Sequence, residues 1–136
     1  MNQAKVARTQ PSRGSILFVD DDQDTRDLVR IALNQAGYET VLALNSAEAL
    51  SHLRSNSFDL ILLDWFLEDE TGIELCRQIR SFNERTPVFF YTGVAYQTEI
   101  DRALSAGAQG CFIKPVDVAE MVKTISSELK KNGDEG

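Results

Sequence analysis

The sequence predicts a single α/β domain, a doubly wound (βα)5 fold in which five parallel strands alternate with five helices. Five short apolar runs recur along the 136 residues, partly β-branched or aromatic, as in strands covered on both faces. Segments with helical periodicity separate these runs, and right-handed crossovers then place helices on both faces of one sheet. The length fits one domain with its own core.

The predicted strands are short and mostly apolar on both faces, as is typical of a parallel sheet covered on both sides. They comprise residues 16–19, 41–44, 60–63, 88–91 and 111–113. No apolar run approaches the roughly 20 residues that a membrane helix needs, so no membrane partner is expected.

Apolar side chains at helical spacing indicate the five helices. Their stripes are Leu28, Val29, Ala32, Leu33 and Ala36, then Ala47, Leu50 and Leu53, then Leu75, Cys76, Ile79 and Phe82, then Ile100, Ala103 and Leu104, and finally Val118, Met121, Val122, Ile125 and Leu129. Asp22 or Asp24, Ser46 and Asp117 are the expected N-caps. Gly37 is the expected C-terminal stop of the first helix.

Composition limits the partners and the compartment. The net charge is -7 with acidic residues spread along the chain, which argues against a nucleic-acid surface. Residues 1–13 lack an apolar signal region, so a cytoplasmic protein is expected. We expect a flexible N-terminal tail over residues 1–14, a folded domain over 15–130 and a C-terminal tail over 131–136. Cys76 and Cys111 lack ligand spacing and are expected to be free thiols.

Chemically capable side chains follow four of the five predicted strands directly. They are Asp20, Asp21 and Asp22 after the first, Asp64 after the third, Thr92 after the fourth and Lys114 after the fifth. Ligands of such folds bind beyond the carboxyl ends of the strands. The topology therefore brings these residues to one edge of the sheet.

Three carboxylates at one edge require a cation. Two like charges 4 Å apart repel by roughly 4 kcal/mol at an effective dielectric of 20, so Asp20, Asp21 and Asp64 together would destabilise the fold. Lys114 supplies one positive charge, and Mg²⁺ suits a site of a few carboxylates and water. Asp64 can then act as a nucleophile in phosphoryl transfer, with Lys114 and the Thr92 hydroxyl facing the phosphoryl oxygens.

At this point the sequence resembles response-regulator receiver domains, over nearly everything from Ser15 to Leu129. The motifs that carry the resemblance are residues 16–22, residues 59–64 with Gly72 beyond them, residues 87–93 and residues 107–115. The resemblance implies a flavodoxin-like three-layer sandwich with strand order 2-1-3-4-5. It also implies a phosphoacceptor of two-component signalling that promotes its own phosphorylation and dephosphorylation, and not a turnover enzyme.

The resemblance assigns a role to each site residue. Asp64 is the phosphorylated aspartate, Asp21 binds Mg²⁺ directly and Asp20 binds it through water. The backbone carbonyl of Phe66 is a further metal ligand. Thr92 and Lys114 contact the phosphoryl group.

The same resemblance implies partners and one backbone feature. The donor is a sensor histidine kinase or a histidine phosphotransfer protein, and the output is an unidentified downstream protein. A monomer or weak dimer is expected, and the peptide bond between Lys114 and Pro115 is expected to be cis.

Two departures from the family pattern lead to hypotheses. Cys111 stands where the family usually has an aromatic switch residue, so we expect signalling to rely on Thr92 and the following loop, or on a different output surface. If Cys111→Ala abolished the phosphorylation-dependent change in partner affinity, the hypothesis that the switch is bypassed would be wrong. Phe66 and Val94 flank the site and are apolar, which predicts slow autodephosphorylation. The fluorescence of Trp65, next to Asp64, is expected to report the binding of Mg²⁺ or phosphate. The sequence is equally compatible with Trp65 being a partly exposed aromatic residue of a loop.

Two alternatives remain open from the residues. A haloacid-dehalogenase-type phosphatase would use the Asp20-x-Asp22 pattern as its nucleophile motif, but it needs a downstream acidic pair where only Asp117 and Glu120 occur. A phosphorylation-independent pseudo-receiver would act as a binding module, against which the full set of acidic, threonine and lysine residues argues.

Overall fold

The computed structural model describes residues 12–93, 96–114 and 117–135, without the side chains of residues 132–135. Five strands form one parallel sheet in the order β2-β1-β3-β4-β5, which confirms the predicted doubly wound fold. The strands are β1 (Ser15–Val19), β2 (Glu39–Ala43), β3 (Leu60–Asp64), β4 (Val88–Thr92) and β5 (Gly110–Ile113). The helices are α1 (Gln23–Gln35), α2 (Ser46–Ser55), α3 (Gly72–Arg80), α4 (Gln97–Ser105) and α5 (Val118–Glu135).

The sheet is buried on both faces, which explains why its strands read as continuous apolar runs. Alternate residues of β1 enter two separate cores: Leu17 packs on one side and Phe18 on the other. Helices α2, α3 and α4 contribute to the first core, and α1 and α5 contribute to the second. This is a three-layer sandwich.

The structure confirms the predicted helix ends at Asp22, Gly37 and Asp117. Asp22 caps α1 by accepting a hydrogen bond from the Thr25 amide, and Asp117 accepts one from the amide of Ala119. Gly37 follows α1 with a φ of 100°, a conformation that glycine adopts readily.

The predicted N-cap of α2 was wrong. Asn45 caps this helix by accepting from the Glu48 amide, and its extended backbone is the conformation that a cap requires. Ser46 is the first helical residue, and its hydroxyl donates to Asp69 instead.

Several apolar residues that the sequence analysis assigned to helical stripes or strands are exposed. Leu28 of α1 is 56% exposed because the buried stripe of that helix is centred on Val29 and Leu33. Phe82 is 57% exposed, since α3 ends at Arg80 and the helical period no longer directs its side chain. Leu44 and Leu104 are also exposed. Leu44 lies beyond β2, whose pairing with β1 begins at Glu39.

Three of the expectations concern residues that the structure does not describe. Val94, Pro115 and residues 1–11 are not described, so the cis peptide and most of the N-terminal tail lie outside the structure. Within the described ranges, every helix is too short or too polar to cross a bilayer.

Candidate functional site

Three carboxylates meet at the carboxyl edge of the sheet, and we call them the carboxylate cluster: Asp20, Asp21 and Asp64. Asp20 directly follows β1, and Asp64 is the last residue of the adjacent strand β3. One oxygen from each of the three lies within 4.8 Å of the others. The parallel pairing of β1 with β3 therefore produces the acidic group that the sequence predicted.

Asp20 is the buried member of the carboxylate cluster. Its side chain is fully buried, and its Oδ1 accepts a hydrogen bond of 2.8 Å from the Asp22 amide. Its Oδ2 has no hydrogen-bond partner among the described residues. Burial raises the pKa of this carboxyl, although the Asp22 amide and the Lys114 ammonium oppose that shift. A buried acceptor of this kind is costly unless a ligand satisfies it.

Asp64 is the more accessible of the two strand-end carboxylates, with 15% of its side chain exposed. Burial and the nearby Asp20 carboxylate raise its pKa to about 6, against the opposing charge of Lys114. Its Oδ1 accepts a 2.8 Å hydrogen bond from the Trp65 amide. Asp64 is thus more basic than an ordinary aspartate and is mostly ionised only at pH values well above 6.

Lys114 faces the carboxylate cluster from the end of β5. Its Nζ lies 3.6 Å from Asp64 Oδ1 and 3.8 Å from Asp20 Oδ2. Its backbone amide donates a 2.7 Å hydrogen bond to the carbonyl of Thr92, which ends β4 and is 2% exposed. The structure thus brings the predicted acidic, threonine and lysine residues to one sheet edge.

The loop after Asp64 is tightly folded and leaves no room for a side chain at Gly72. The Gly72 amide donates 2.7 Å to the Trp65 carbonyl, and Phe66 forms an isolated antiparallel bridge with Thr71. A Cβ at Gly72 would overlap the Asp64 carbonyl oxygen and lie 2.8 Å from the Phe90 ring. The Phe66 side chain, in contrast, is 63% exposed.

Trp65 is buried beside the site and is not an exposed loop aromatic. Only 4% of its surface is exposed, and its ring packs on Phe90 with 5.3 Å between centroids. Because its amide contacts the Asp64 carboxylate, the indole is placed to sense changes there.

Two contacts of the site were not predicted. Arg26 of α1 donates a 2.7 Å hydrogen bond to the Asp20 carbonyl and so ties the turn after β1 to that helix. Asp69, in the loop after β3, accepts from the Ser46 amide, the Ser46 hydroxyl and the Ala47 amide. The Asp69 contacts join residues more than 20 positions apart, so no local sequence signal reveals them.

The fold and the site together define a class: a doubly wound α/β domain with a lysine and a carboxylate cluster at the sheet edge where such folds bind ligands. A family model described as the response regulator receiver domain matches residues 16–126. The chain belongs to the response regulator receiver domain family of two-component systems.

Similar proteins support this assignment. The chain is 34% identical over 122 residues to the phosphate regulon transcriptional regulatory protein PhoB of Pseudomonas aeruginosa, covering 88% of the chain and 53% of the relative. It is 32% identical over 116 residues to the response regulator ArlR of Staphylococcus saprophyticus, covering 85% of the chain and 52% of the relative. The chain thus spans about half the length of these curated relatives.

Solved structures show the same fold. A CheY-like receiver domain protein of Methanospirillum hungatei aligns with a TM-score of 0.86 at 29% identity, covering 93% of this chain and all of that one. A two-component response regulator of Clostridium difficile aligns with a TM-score of 0.82 at 30% identity, covering 85% of this chain and 95% of that one. These relatives are named as response regulators or regulatory proteins, so they give the phosphatase alternative no support.

Proposed function

We propose that this domain accepts a phosphoryl group on Asp64 from a phosphohistidine donor, with Mg²⁺ bound at the carboxylate cluster. Phosphorylation would then change the surface that binds a downstream protein. The observation that carries the proposal is the convergence of three carboxylates and Lys114, with a buried Asp20 oxygen that has no hydrogen-bond partner among the described residues. Such a group is stabilised when a cation completes it.

The carboxylate cluster fits Mg²⁺ in donor type and spacing. Magnesium prefers oxygen ligands at roughly 2.1 Å and keeps several waters, so directly bound oxygens lie at most about 4.2 Å apart. The observed spread of up to 4.8 Å suits a mixture of direct and water-mediated ligands. Exposed Asp21 and partly buried Asp64 would bind directly, and buried Asp20 would bind through water. We propose the Phe66 carbonyl as a further ligand.

When bound, Mg²⁺ would neutralise negative charge on the phosphoryl oxygens. The transfer itself uses the protein's own groups. An Asp64 oxygen attacks phosphorus, forming the P–O bond as the P–N bond to the donor histidine breaks. The leaving imidazole keeps that electron pair and takes a proton from solvent.

Two further side chains would neutralise and orient the phosphoryl group. The Lys114 ammonium lies close enough to Asp64 to pair with one phosphoryl oxygen. The Thr92 hydroxyl, at the end of the neighbouring strand, would donate to another.

The donor we propose is a sensor histidine kinase or a histidine phosphotransfer protein. Some relatives are named as DNA-binding response regulators, such as MtrA of Mycobacterium tuberculosis, but the chain covers only 54% of that protein. With its net charge of -7, the domain described here is better suited to protein contacts than to nucleic acid. We propose that it works as a monomer or weak dimer.

Acetyl phosphate and Mg²⁺ provide a direct test. The unmutated protein is expected to incorporate one acid-stable, base-labile phosphoryl group, and Asp64→Asn is expected to incorporate none. Asp101→Asn, at an exposed position of α4, is the matched control and should retain labelling. Label on Asp64→Asn equal to that of the unmutated protein would contradict the assignment.

Beryllofluoride separates this proposal from a pseudo-receiver. A receiver domain of the relative DrrB has been solved in a BeF3-activated form, at 26% identity and a TM-score of 0.79. We expect beryllofluoride with Mg²⁺ to change the Trp65 fluorescence of this protein. No response, together with no phosphoryl uptake, would favour a phosphorylation-independent binding module.

A further inference from the structure

We propose that Tyr91 is a positioning residue for Lys114, because its ring holds the ammonium group at the carboxylate cluster. The inference rests on the proposed function, in which Lys114 pairs with the incoming phosphoryl group. It assigns a role to a β4 residue that is neither a metal ligand nor a phosphoryl contact.

The geometry of the ammonium group carries the argument. Lys114 Nζ lies 4.9 Å from the centroid of the Tyr91 ring, within the ~6 Å range of cation–π contacts. Its distances of 3.6 and 3.8 Å to carboxylate oxygens exceed hydrogen-bond length. Charge attraction at these distances has little directionality, and the four-carbon stem of a lysine is flexible, so the carboxylates alone do not fix the position of the ammonium group. The aromatic face therefore supplies a contact that fixes where the ammonium group lies.

The ring is itself rigidly held. Tyr91 is 6% exposed, and its ring meets Phe18 edge-on with 6.1 Å between centroids. In the sheet register Tyr91 stands directly opposite Asp64, so the strand that carries the phosphoacceptor also fixes the ring. Burial raises the pKa of the Tyr91 hydroxyl, and the neighbouring carboxylates raise it further, so the ring stays neutral. A neutral aromatic ring presents a negative face to a cation.

Position matters here because phosphoryl transfer depends mainly on the placement of charge. We expect Tyr91→Leu to slow phosphorylation by acetyl phosphate about 3- to 10-fold, corresponding to a contact of the strength usual for cation–π pairs. Tyr91→Phe keeps the ring and should restore most of the rate. The Mg²⁺ concentration for half-maximal change in Trp65 fluorescence should stay the same in both, because Tyr91 holds no metal.

A matched variant separates positioning from general loss of packing. Phe89 lies two residues earlier in β4, is 6% exposed and belongs to the same core as Tyr91, where it stacks on Phe112. Phe89→Leu removes a comparable ring without touching Lys114. It should lower stability and leave the phosphorylation rate within about 2-fold. A rate loss equal to that of Tyr91→Leu would overturn the inference.

NMR tests the contact without any phosphoryl transfer. The ring current of Tyr91 should shift the Lys114 ε-methylene protons upfield in the unmutated protein and in Tyr91→Phe, and the shift should vanish in Tyr91→Leu. Unshifted protons in the unmutated protein would overturn the inference. If the unmutated protein takes up no phosphoryl group, the proposed function fails, while the NMR shift still decides whether the ring holds the ammonium group.

A double-mutant cycle completes the test. In a Lys114→Ala background the Tyr91→Leu change should have no further effect on the residual phosphorylation rate, since the ring then has no cation to position. An additional 3-fold loss in that background would show that Tyr91 acts by another route and would overturn the inference.

Discussion

Phe66 lies two residues after the proposed phosphoacceptor, and its ring is 63% exposed. An apolar ring cannot hold a water molecule in line with phosphorus, whereas an amide can orient one by hydrogen bonds. We expect Phe66→Asn to speed autodephosphorylation several-fold, measured as phosphate release after acetyl phosphate is removed. Phe82→Asn, at a similarly exposed ring 57% accessible, is the control. An unchanged or slower release from Phe66→Asn would refute this explanation.

Gly72 is required for a steric reason. A Cβ there overlaps the Asp64 carbonyl oxygen, and that oxygen belongs to backbone that cannot move aside. Alanine normally favours a helix by up to about 1 kcal/mol over glycine. Here we expect Gly72→Ala to lower the free energy of unfolding by about 1 to 3 kcal/mol, as overpacking does.

The control for Gly72 is another glycine of the site edge. A Cβ at Gly93 would meet no atom of the described residues within 4 Å, so Gly93→Ala should change the free energy of unfolding little. Urea denaturation of both variants measures the difference. Equal stabilities would show that the end of β3 can shift to accommodate a methyl group.

The raised pKa of Asp64 predicts a pH-dependent stability in metal-free protein. The folded pKa of about 6 exceeds the usual 3.8, so the folded state binds the proton more tightly, and ionising Asp64 destabilises the fold as pH rises from about 4 to 6. Asp64→Asn removes that penalty. In EDTA it should stabilise the protein by up to about 3 kcal/mol at pH 8 and by about half of that at pH 5.

Chemical denaturation of Asp64→Asn at these two pH values, with Asp101→Asn as the control, measures the effect. A stabilisation that is the same at pH 5 and pH 8 would mean that the folded carboxyl titrates at its ordinary pKa.

Among the elements, helix α2 depends on a side chain from outside the helix. Asp69 accepts hydrogen bonds from two amides of the first turn of α2 and from the Ser46 hydroxyl. Although burial acts to raise the pKa of Asp69, these hydrogen bonds outweigh it and lower the pKa. Asp69→Ala should therefore cost about 1 kcal/mol of unfolding free energy, the usual value of a lost N-terminal cap.

Glu84→Ala removes the same charge from an exposed position and serves as the control for Asp69. Thermal unfolding followed by circular dichroism compares the two variants. If Asp69→Ala is as stable as Glu84→Ala, Asn45 alone suffices to cap α2.

The elements were predictable where local physics determines them. Continuous apolar runs identify all five strands because both sheet faces are covered, and Asp22 and Gly37 mark the ends of α1. The predictions were wrong where residues distant in sequence but close in space determine the end of a strand or helix. Leu44 is apolar, but edge strand β2 takes its register from β1 and ends at Ala43. Asn45 and Ser46 are both good cap residues, and the three-dimensional structure distinguishes them: Asn45 accepts from the Glu48 amide, and the Ser46 hydroxyl donates to Asp69.

For the molecule as a whole, topology made the candidate site predictable. Strand ends of a parallel sheet share an edge, so residues that directly follow strands converge without any knowledge of side-chain packing. The convergence of Asp20, Asp64 and Lys114 followed from this rule. The contact of Lys114 with the Tyr91 ring could not be predicted from this rule, because it depends on side-chain rotamers and on the packing of neighbouring rings. The assigned roles remain predictions.

Charge at the scale of the molecule gives the last prediction. The net charge of -7 and the carboxylate cluster both oppose folding, but salt relieves them differently. Mg²⁺ bound at the carboxylate cluster, as we propose, would stabilise the folded state by linkage, by about 1.4 kcal/mol at ten times its dissociation constant. Sodium chloride at the same ionic strength provides screening alone. MgCl2 should therefore raise the melting temperature more than NaCl does.

The extra stabilisation by Mg²⁺ should disappear in Asp21→Asn, which removes an exposed carboxylate of the cluster without burying a new group. Asp24→Asn, an exposed acidic residue in the first turn of α1, keeps the same net charge as Asp21→Asn and should retain the stabilisation. Differential scanning calorimetry across a Mg²⁺ titration compares the three proteins. If NaCl matches MgCl2 in the unmutated protein, the acidic edge is stabilised by general screening and holds no specific ion.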